Sequence, residues 1–450
     1  MPPSRSIVRR FLAYPILARR DPASKPKIWQ ALSSFEPALL TAVVVAALAV
    51  RVNVIANFNI NWDEFFYLSL VHDYLRGRLD LKLQTFHVHF FGWLPGISVN
   101  EVDQIIAARA VMLGLHLLTA AFLYRIARRL TSVPAALFAV AAYLSVSYVI
   151  RGGASFRGDP IAIALVMAAF DVLLTRRGSI LRPALAGLLL ALAGMITIKT
   201  AIFLPTLAVM LGGPLLARRV AGEAARRAAA TALTAAAGFA LLYGLHAMTF
   251  DWTSARSSVE AATLSSKMVT HAGLFPRLEV LLDTLRWDAA FWAIWLAGSG
   301  LLARRIWQTT GSERWRWIEA AALALPVASV AVYRNSFPYF YPFILAPASV
   351  LMAIAYDGVT GRAALDPGRG PLVVVKIVAL TWFAASLILH GIYLPSVMSL
   401  GHQRTVVAAV HRTFPAPTPY LDRSSTVASF PQVGFFMTTY WMGTYLRHRE

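Results

Sequence analysis

The chain has 450 residues, of which 58% are hydrophobic and only 14% charged, whereas soluble globular proteins carry about 25% charged residues. The apolar residues form blocks near the roughly 20 residues that a membrane-spanning helix needs, which excludes a soluble enzyme. The absence of cysteine excludes disulfides, thiolate metal sites and thiol nucleophiles. The net charge of +20 does not indicate a nucleic-acid partner, because no such motif is present and the basic residues cluster between apolar blocks, as in cytoplasmic loops.

The chain order predicts an all-α polytopic membrane protein. Residues 1–36 contain "SIVRRFLAYPILARR", which is too basic and too interrupted for a cleavable signal. It predicts a cytoplasmic segment, either lying on the membrane surface or disordered. Residues 37–395 predict a bundle of about eleven transmembrane helices. The predicted spans are 37–57, 104–124, 132–150, 160–175, 181–198, 201–217, 228–248, 288–303, 317–333, 341–356 and 372–395.

Arginine clusters orient these spans. They follow the second, fourth, sixth and eighth spans, at 125–129, 176–177, 218–227 and 304–316. Because cytoplasmic loops collect Lys and Arg, this side is predicted to be cytoplasmic. The other side would face the periplasm of a bacterial inner membrane, and residues 396–450 would form a small periplasmic C-terminal domain.

The first outer loop begins with "NINWDEFFYLSLVHDYLRGRL". Its spacing predicts a short amphipathic helix in the membrane interface, with Asp63 and Glu64 in the first turn. Acidic residues there offset the helix dipole, and Asn61 could cap the helix, so a structural role is one interpretation. A half-desolvated carboxylate suits a general base, which is the other interpretation. The predicted polar stripe of this helix is Ser69, His72, Asp73 and Arg76.

Two histidines follow in "TFHVHFFGWLPG". In an extended segment His87 and His89 would point to one side. Such a pair could contact a sugar of the donor or acceptor, or bind a divalent metal, although no third metal ligand is identifiable. Ordinary interfacial histidines remain an equally open interpretation.

Three further outer turns carry isolated charges. "RGGASFRGDP" places Arg151 and Arg157 on either side of a Gly-rich turn, with Asp159 before a proline, where it could cap a helix. "TIKTAIFLP" places Lys199 between two spans, and "YRNSFPYFYPF" places Arg334 before an aromatic cluster. Dispersed cations near carboxylates suit a membrane-anchored phosphate donor. The tyrosines predicted to contact a sugar are Tyr339 and Tyr341.

These motifs resemble the GT-C glycosyltransferases that use polyprenyl-phosphate sugars, including protein O-mannosyltransferases and lipid A aminoarabinose or galacturonic acid transferases. "NWDEFFYLSLVHDYLRG" is similar to their Asp-Glu signature, and "AARAVMLGLHLLTAAFLYRIARRL" to their second span, which opens with Arg109. "SFRGDPIAIAL", "TIKTAIFLP" and "FYPFILAPASVLMA" are similar to their Arg-x-Asp element, Thr-Lys turn and late Tyr/Pro-rich span.

The resemblance implies an inverting transferase with a polyprenyl-phosphate-linked donor and a lipid, polysaccharide or protein acceptor. Asp63 would be the general base, helped or oriented by Glu64 and Asp159. The predicted donor-phosphate ligands are Lys199, Arg157, Arg109 and Arg334. A transporter or flippase of polyprenyl-linked cargo, or a scaffold for envelope assembly, would not need Asp63 as a base.

Overall fold

The computed structural model describes residues 27–175, 179–213, 221–252, 273–363, 370–422 and 425–433. Most of the predicted segment 1–36 and the end of the predicted domain 396–450 lie outside these residues. The described part is helical, and its β-pairing is confined to isolated bridges, so the all-α prediction is confirmed. The α-helices are α1 Lys27–Asn57, α2 Trp62–Leu75, α3 Val88–Phe91, α4 Glu101–Arg128, α5 Val133–Ser145, α6 Ser147–Gly152, α7 Gly158–Leu174, α8 Leu181–Ile196, α9 Leu204–Gly212, α10 Ala221–Ala247, α11 Leu278–Trp287, α12 Ala289–Gln308, α13 Gly311–Ala322, α14 Tyr341–Ala348, α15 Val350–Ala363, α16 Gly370–Ile388, α17 Leu394–Val397 and α18 Gly401–Thr413.

Within the described residues, four helical segments are long and apolar enough to cross a membrane. They are Glu36–Asn57, Glu101–Arg128, Gly222–Ala247 and Lys376–Val397. A fifth candidate is the pair Pro338–Ala348 and Val350–Thr360, which is bent by 50°. These segments agree with a multi-pass membrane protein. Most of the other predicted spans contain shorter or interrupted helices, and α12, although 20 residues long, is not apolar enough to be included. The count of eleven therefore stays a prediction.

The helices pack through small residues. α7 lies against both α4 and α8, α8 packs on α10, and α12 packs on α15. Gly298 on α12 shows how close these approaches are, because a Cβ atom there would lie 2.3 Å from the carbonyl oxygen of Leu351. Small residues permit such contacts between membrane helices.

One predicted span, 132–150, is broken at Val146 into α5 and α6. Three side chains that lie on or next to other helices bind the backbone groups that the break frees. Arg51 donates to the carbonyl of Leu144 (2.7 Å) and Ser386 to that of Ser145 (2.6 Å), while Asp288 accepts from the N–H of Ser147 (3.0 Å). Buried backbone groups need such partners in an apolar bundle. The break therefore redirects α6 as a defined element.

The C-terminal segment folds over the first outer loop. The side-chain amide of Gln403 on α18 bonds both backbone groups of Ile60, at 2.7 and 2.8 Å. Arg404 pairs with Asp103 at the start of α4 (2.5 Å), and His411 lies 2.9 Å from Glu101. These contacts attach α18 to the loop that carries Asp63. Whether residues 396–450 form a separate domain stays a prediction.

Candidate active site

A cavity of about 530 Å³ lies where the end of α1, the start of α2, α4 and α6 meet the turn before α14. Its walls include four of the predicted charged residues (Asp63, Glu64, Arg109 and Arg157) together with Tyr339. Of the other lining residues, only Arg151 belongs to the cations of the outer turns that the sequence indicates, and the rest have no predicted site role. These further residues are Phe58, Asn59, Asn61, Trp62, Tyr148, Arg151, Gly152, Ser155, Phe337, Pro338 and Met398.

The first turn of α2 directs the carboxylates of Asp63 and Glu64 to different sides of the helix. The side chain of Asn61 accepts from the N–H of Asp63 (2.9 Å), and the carboxylate of Glu64 accepts from the N–H of Asn61 (3.2 Å). This capping box confirms the predicted cap. Because consecutive helical residues point in directions about 100° apart, Glu64 faces the bundle and is 1% exposed, while the Asp63 side chain retains 17% exposure. His72, predicted on the polar stripe, is instead buried and lies 3.0 Å from Gln104.

Glu64 is saturated by hydrogen bonds. Arg109 donates to both of its oxygens, at 2.6 and 2.8 Å, and the N–H of Phe156 donates at 2.8 Å. With the bond from Asn61, these contacts use all of the roughly four acceptor positions of a carboxylate. Burial acts to raise the pKa of Glu64, but Arg109 and the backbone N–H groups outweigh it and hold this pKa below its usual value. Glu64 is therefore an anion that clamps the loop.

The hydrogen-bond donors of Arg109 are also fully occupied. Besides Glu64, its guanidinium donates to the carbonyls of Ile55, Phe58 and Asn59, at distances from 2.8 to 3.4 Å. These carbonyls belong to the end of α1 and the residues just after it, so Arg109 joins α1, α2 and α4. All five N–H groups of the guanidinium have a partner. The predicted role of Arg109 as a phosphate ligand thus conflicts with this geometry.

Asp63, Arg157, Asp159 and Lys199 form a chain of alternating charge. Arg157 binds Asp63, and its Nε lies 3.6 Å from Asp159. Lys199 donates to both oxygens of Asp159, at 2.8 and 2.9 Å. The Arg157 guanidinium also lies 3.4 Å from the centre of the Tyr339 ring, a cation–π contact. Asp159 and Lys199 do not line the cavity, so they act behind Arg157.

Arg151 differs from the other three cations of the site in its electrostatic surroundings. Arg109, Arg157 and Lys199 each pair with at least one of the three carboxylates, whereas no described carboxylate lies within 4.0 Å of Arg151. Its guanidinium lies 4.8 Å from the Tyr148 ring, and Asp288 and Asp283 act on it only from farther away. Arg151 therefore adds one positive charge to the cavity that no paired carboxylate neutralises.

Arg334 and Tyr341 do not line the cavity. Arg334 is exposed in the turn before Pro338. Tyr341 is fully buried, and its ring packs on Tyr148 with 5.3 Å between centres. Neighbouring Tyr339 therefore carries the contact with the cavity, because the chain enters α14 at Tyr341 and turns that side chain into the bundle.

The two histidines lie at the start of a short helix. The expectation of an extended segment is wrong, because His87 immediately precedes α3 and His89 lies within it. The His87 ring packs on Tyr67 with 4.8 Å between centres, and burial lowers the pKa of His87 to about 4. His89 Nε2 lies 2.8 Å from His246 Nδ1 instead. Neither histidine lines the cavity. Across the described ranges, no group of three or more His, Asp or Glu side chains is arranged to hold a metal ion.

Comparisons with known proteins agree with this architecture. No protein-family model matches the chain, and no curated protein sequence matches it. Among solved structures, it is similar to ArnT from Cupriavidus metallidurans bound to undecaprenyl phosphate, with a TM-score of 0.57, 14% identity, and coverage of 88% of this chain and 85% of that chain. Apo ArnT gives a TM-score of 0.55, 13% identity and coverage of 91% and 88%. The chain has the fold of the GT-C glycosyltransferases.

A second GT-C structure extends the comparison to archaea. The oligosaccharyltransferase from Archaeoglobus fulgidus, in complex with Zn and sulfate, gives a TM-score of 0.51 and 14% identity. That match covers 79% of this chain but 53% of the archaeal one. At these identities the GT-C likeness describes the fold, and the chemistry has to be argued from the cavity.

Proposed function

We propose that this protein is an inverting membrane glycosyltransferase that moves a sugar from a polyprenyl-phosphate donor to a lipid, polysaccharide or protein of the bacterial envelope. The carrying observation is that the cavity contains one partly exposed carboxylate, Asp63, and one cation without a carboxylate partner, Arg151. The GT-C fold supports the proposal, as does the undecaprenyl phosphate bound to ArnT. The cavity would face the periplasm.

In this proposal Asp63 is the general base. An acceptor hydroxyl or amine attacks the anomeric carbon of the donor sugar, and Asp63 takes its proton. The bond from that carbon to the phosphate oxygen breaks, and polyprenyl phosphate leaves with the bonding electron pair. A single displacement inverts the anomeric configuration. Arg157 positions Asp63, while Asp159, which is itself bound by Lys199, attracts Arg157 from behind.

Arg151 is the proposed ligand of the departing phosphate. Arg109 has no donor left for it, and both Arg157 and Lys199 are already matched by carboxylates. A guanidinium without a carboxylate can form charge-assisted hydrogen bonds with phosphate oxygens, which strengthen as charge develops on the leaving group. The donor phosphate would therefore sit nearer to α6 than to the turn that carries Lys199.

Arg151→Gln is expected to weaken donor binding by about ten- to a hundredfold, since a hydrogen bond to a charged group contributes about 1.5–3 kcal/mol. Arg151→Lys keeps the charge and is expected to have a smaller effect. Donor affinity can be measured on purified protein with a fluorescent polyprenyl phosphate. Arg334→Gln is the control, because Arg334 is exposed outside the cavity. Loss of affinity in the Arg334 variant, with normal affinity in Arg151→Gln, would reverse this assignment.

The function itself is tested by mass spectrometry of envelope lipids, polysaccharides and proteins from cells with the wild-type protein, Asp63→Asn or a deletion. Loss of the same sugar modification in the variant and the deletion, with accumulation of the polyprenyl-linked sugar, is the expected result. The missing product would identify the acceptor. Wild-type modification in Asp63→Asn cells, with cargo retained on one leaflet in the deletion, would instead indicate a transporter.

A further inference from the structure

A second cavity lies at the other end of the same helices. It has a volume of about 790 Å³ and is bounded by the C-terminal ends of α4 and α7 and by α13. Arg129, about 20 residues beyond Arg109, lines it. At 1.5 Å per residue this separation is about 30 Å, the thickness of a bilayer's hydrocarbon core. The second cavity therefore lies at the opposite membrane boundary, beside the arginine clusters that indicate the cytoplasmic side.

Its walls combine apolar and cationic groups. Apolar lining comes from Ile126, Leu130, Leu174, Ala320 and Leu323. Arg129 and Arg316 line it as well and lie next to each other, because the Arg316 guanidinium donates to the carbonyl of Arg129. This arrangement suits an amphipathic anion better than a free one, since an inorganic ion would leave the apolar walls unused.

The local charges favour an anionic ligand. Arg125 and Arg129 share a single carboxylate, Asp171, at 2.8 and 2.7 Å. Arg316 and Glu319 are the other ionic groups among the lining residues. Arg227 reaches the edge of the cavity, where it donates to the carbonyls of Leu173 and Thr175 at 3.2 and 3.4 Å, so the arginines around the cavity outnumber the carboxylates.

We propose that this cavity binds an anionic phospholipid of the cytoplasmic leaflet, with the phosphate at Arg129 and Arg316 and an acyl chain along the apolar wall. Basic pockets between membrane helices on the cytoplasmic side are suited to anionic lipid head groups. The site is separate from the proposed sugar-transfer cavity and does not depend on that chemistry. It would stabilise the contact between α4, α7 and α13.

Delipidated full-length protein in detergent provides the test. Phosphatidylglycerol or phosphatidylcholine with identical acyl chains is added, and the unfolding midpoint and the lipids retained in native mass spectrometry are measured. Phosphatidylglycerol is expected to raise the midpoint and to be retained at about one molecule per chain, which is lost in Arg316→Gln. Arg316 is exposed, so its replacement should not prevent folding.

Arg314→Gln is the matched control, because Arg314 is an exposed arginine on the same helix that does not line the cavity. It should respond to phosphatidylglycerol as the wild type does. Equal effects of the two lipids, or an undiminished response in Arg316→Gln, would overturn the proposal. A response lost equally in both arginine variants would show general surface charge and would overturn it as well.

Discussion

Asp63→Asn is expected to lower kcat for sugar transfer by about 100- to 10,000-fold, the range that a positioned general base contributes. The amide is nearly isosteric with the carboxylate but cannot accept the acceptor's proton. Its oxygen can still accept from Arg157, which also lies near Asp159 and Tyr339. Donor affinity should therefore change little, and the unfolding midpoint should fall only moderately, because Asp159 still offsets part of the buried Arg157 charge. A kinetic assay in proteoliposomes with a polyprenyl-phosphate sugar measures the loss.

Asp73→Asn is the control for this variant. Asp73 lies on the same helix, α2, and pairs with Arg76 at 3.7 Å, away from the candidate active site. Its replacement should leave transfer at the wild-type rate. If Asp63→Asn folds and transfers sugar normally, another group takes the proton. If it loses donor affinity as strongly as kcat, Asp63 acts mainly by holding Arg157.

The sequence predicts the start of α2 well because the signals there are local. Asn61, Asp63 and Glu64 are consecutive or nearly so, and a capping box depends on spacing alone. The helical character and membrane insertion are equally local properties of apolar runs. Such features need no knowledge of what the helix packs against.

The different roles of Asp63 and Glu64 cannot be predicted from local sequence, because they depend on residues that are distant in the chain. The two residues are adjacent in sequence, and only the groups that bind each carboxylate show which of them has a structural role. Arg109 and the N–H of Phe156 saturate Glu64, and both come from other parts of the chain. The same difficulty affects Lys199, whose partner Asp159 places it behind Arg157 and outside the cavity wall.

Arg151 shows a third limit of sequence reasoning. Its position depends on the break at Val146, and the groups that stabilise this break are Arg51, Asp288 and Ser386. These three residues lie on or next to helices far apart in sequence. A continuous apolar run such as 132–150 gives no indication of the break, because the stabilising hydrogen bonds come entirely from elsewhere.

Glu64→Gln is expected to destabilise the folded protein by about 3–5 kcal/mol, because removing one partner of a buried ion pair leaves the other charge uncompensated. An amide also presents N–H groups to a site where four donors already converge. The expected observation is a much lower unfolding midpoint in detergent, measured as loss of the monodisperse peak after heating. Glu279→Gln is the control, since Glu279 forms an exposed pair with Arg277 at 3.8 Å, and such pairs contribute little.

The unfolding midpoint and the rate of sugar transfer together distinguish a structural role of Glu64 from a catalytic one. The clamp assignment requires the Glu64→Gln midpoint to fall well below that of Glu279→Gln, and the protein that remains folded to keep a substantial kcat. A double variant with Arg109→Gln should recover part of the lost stability, because no uncompensated charge remains in the bundle. A Glu64→Gln protein that unfolds like the wild type but transfers no sugar would contradict the clamp. Glu64 would then act in the chemistry itself, beside Asp63, despite its saturated hydrogen bonds.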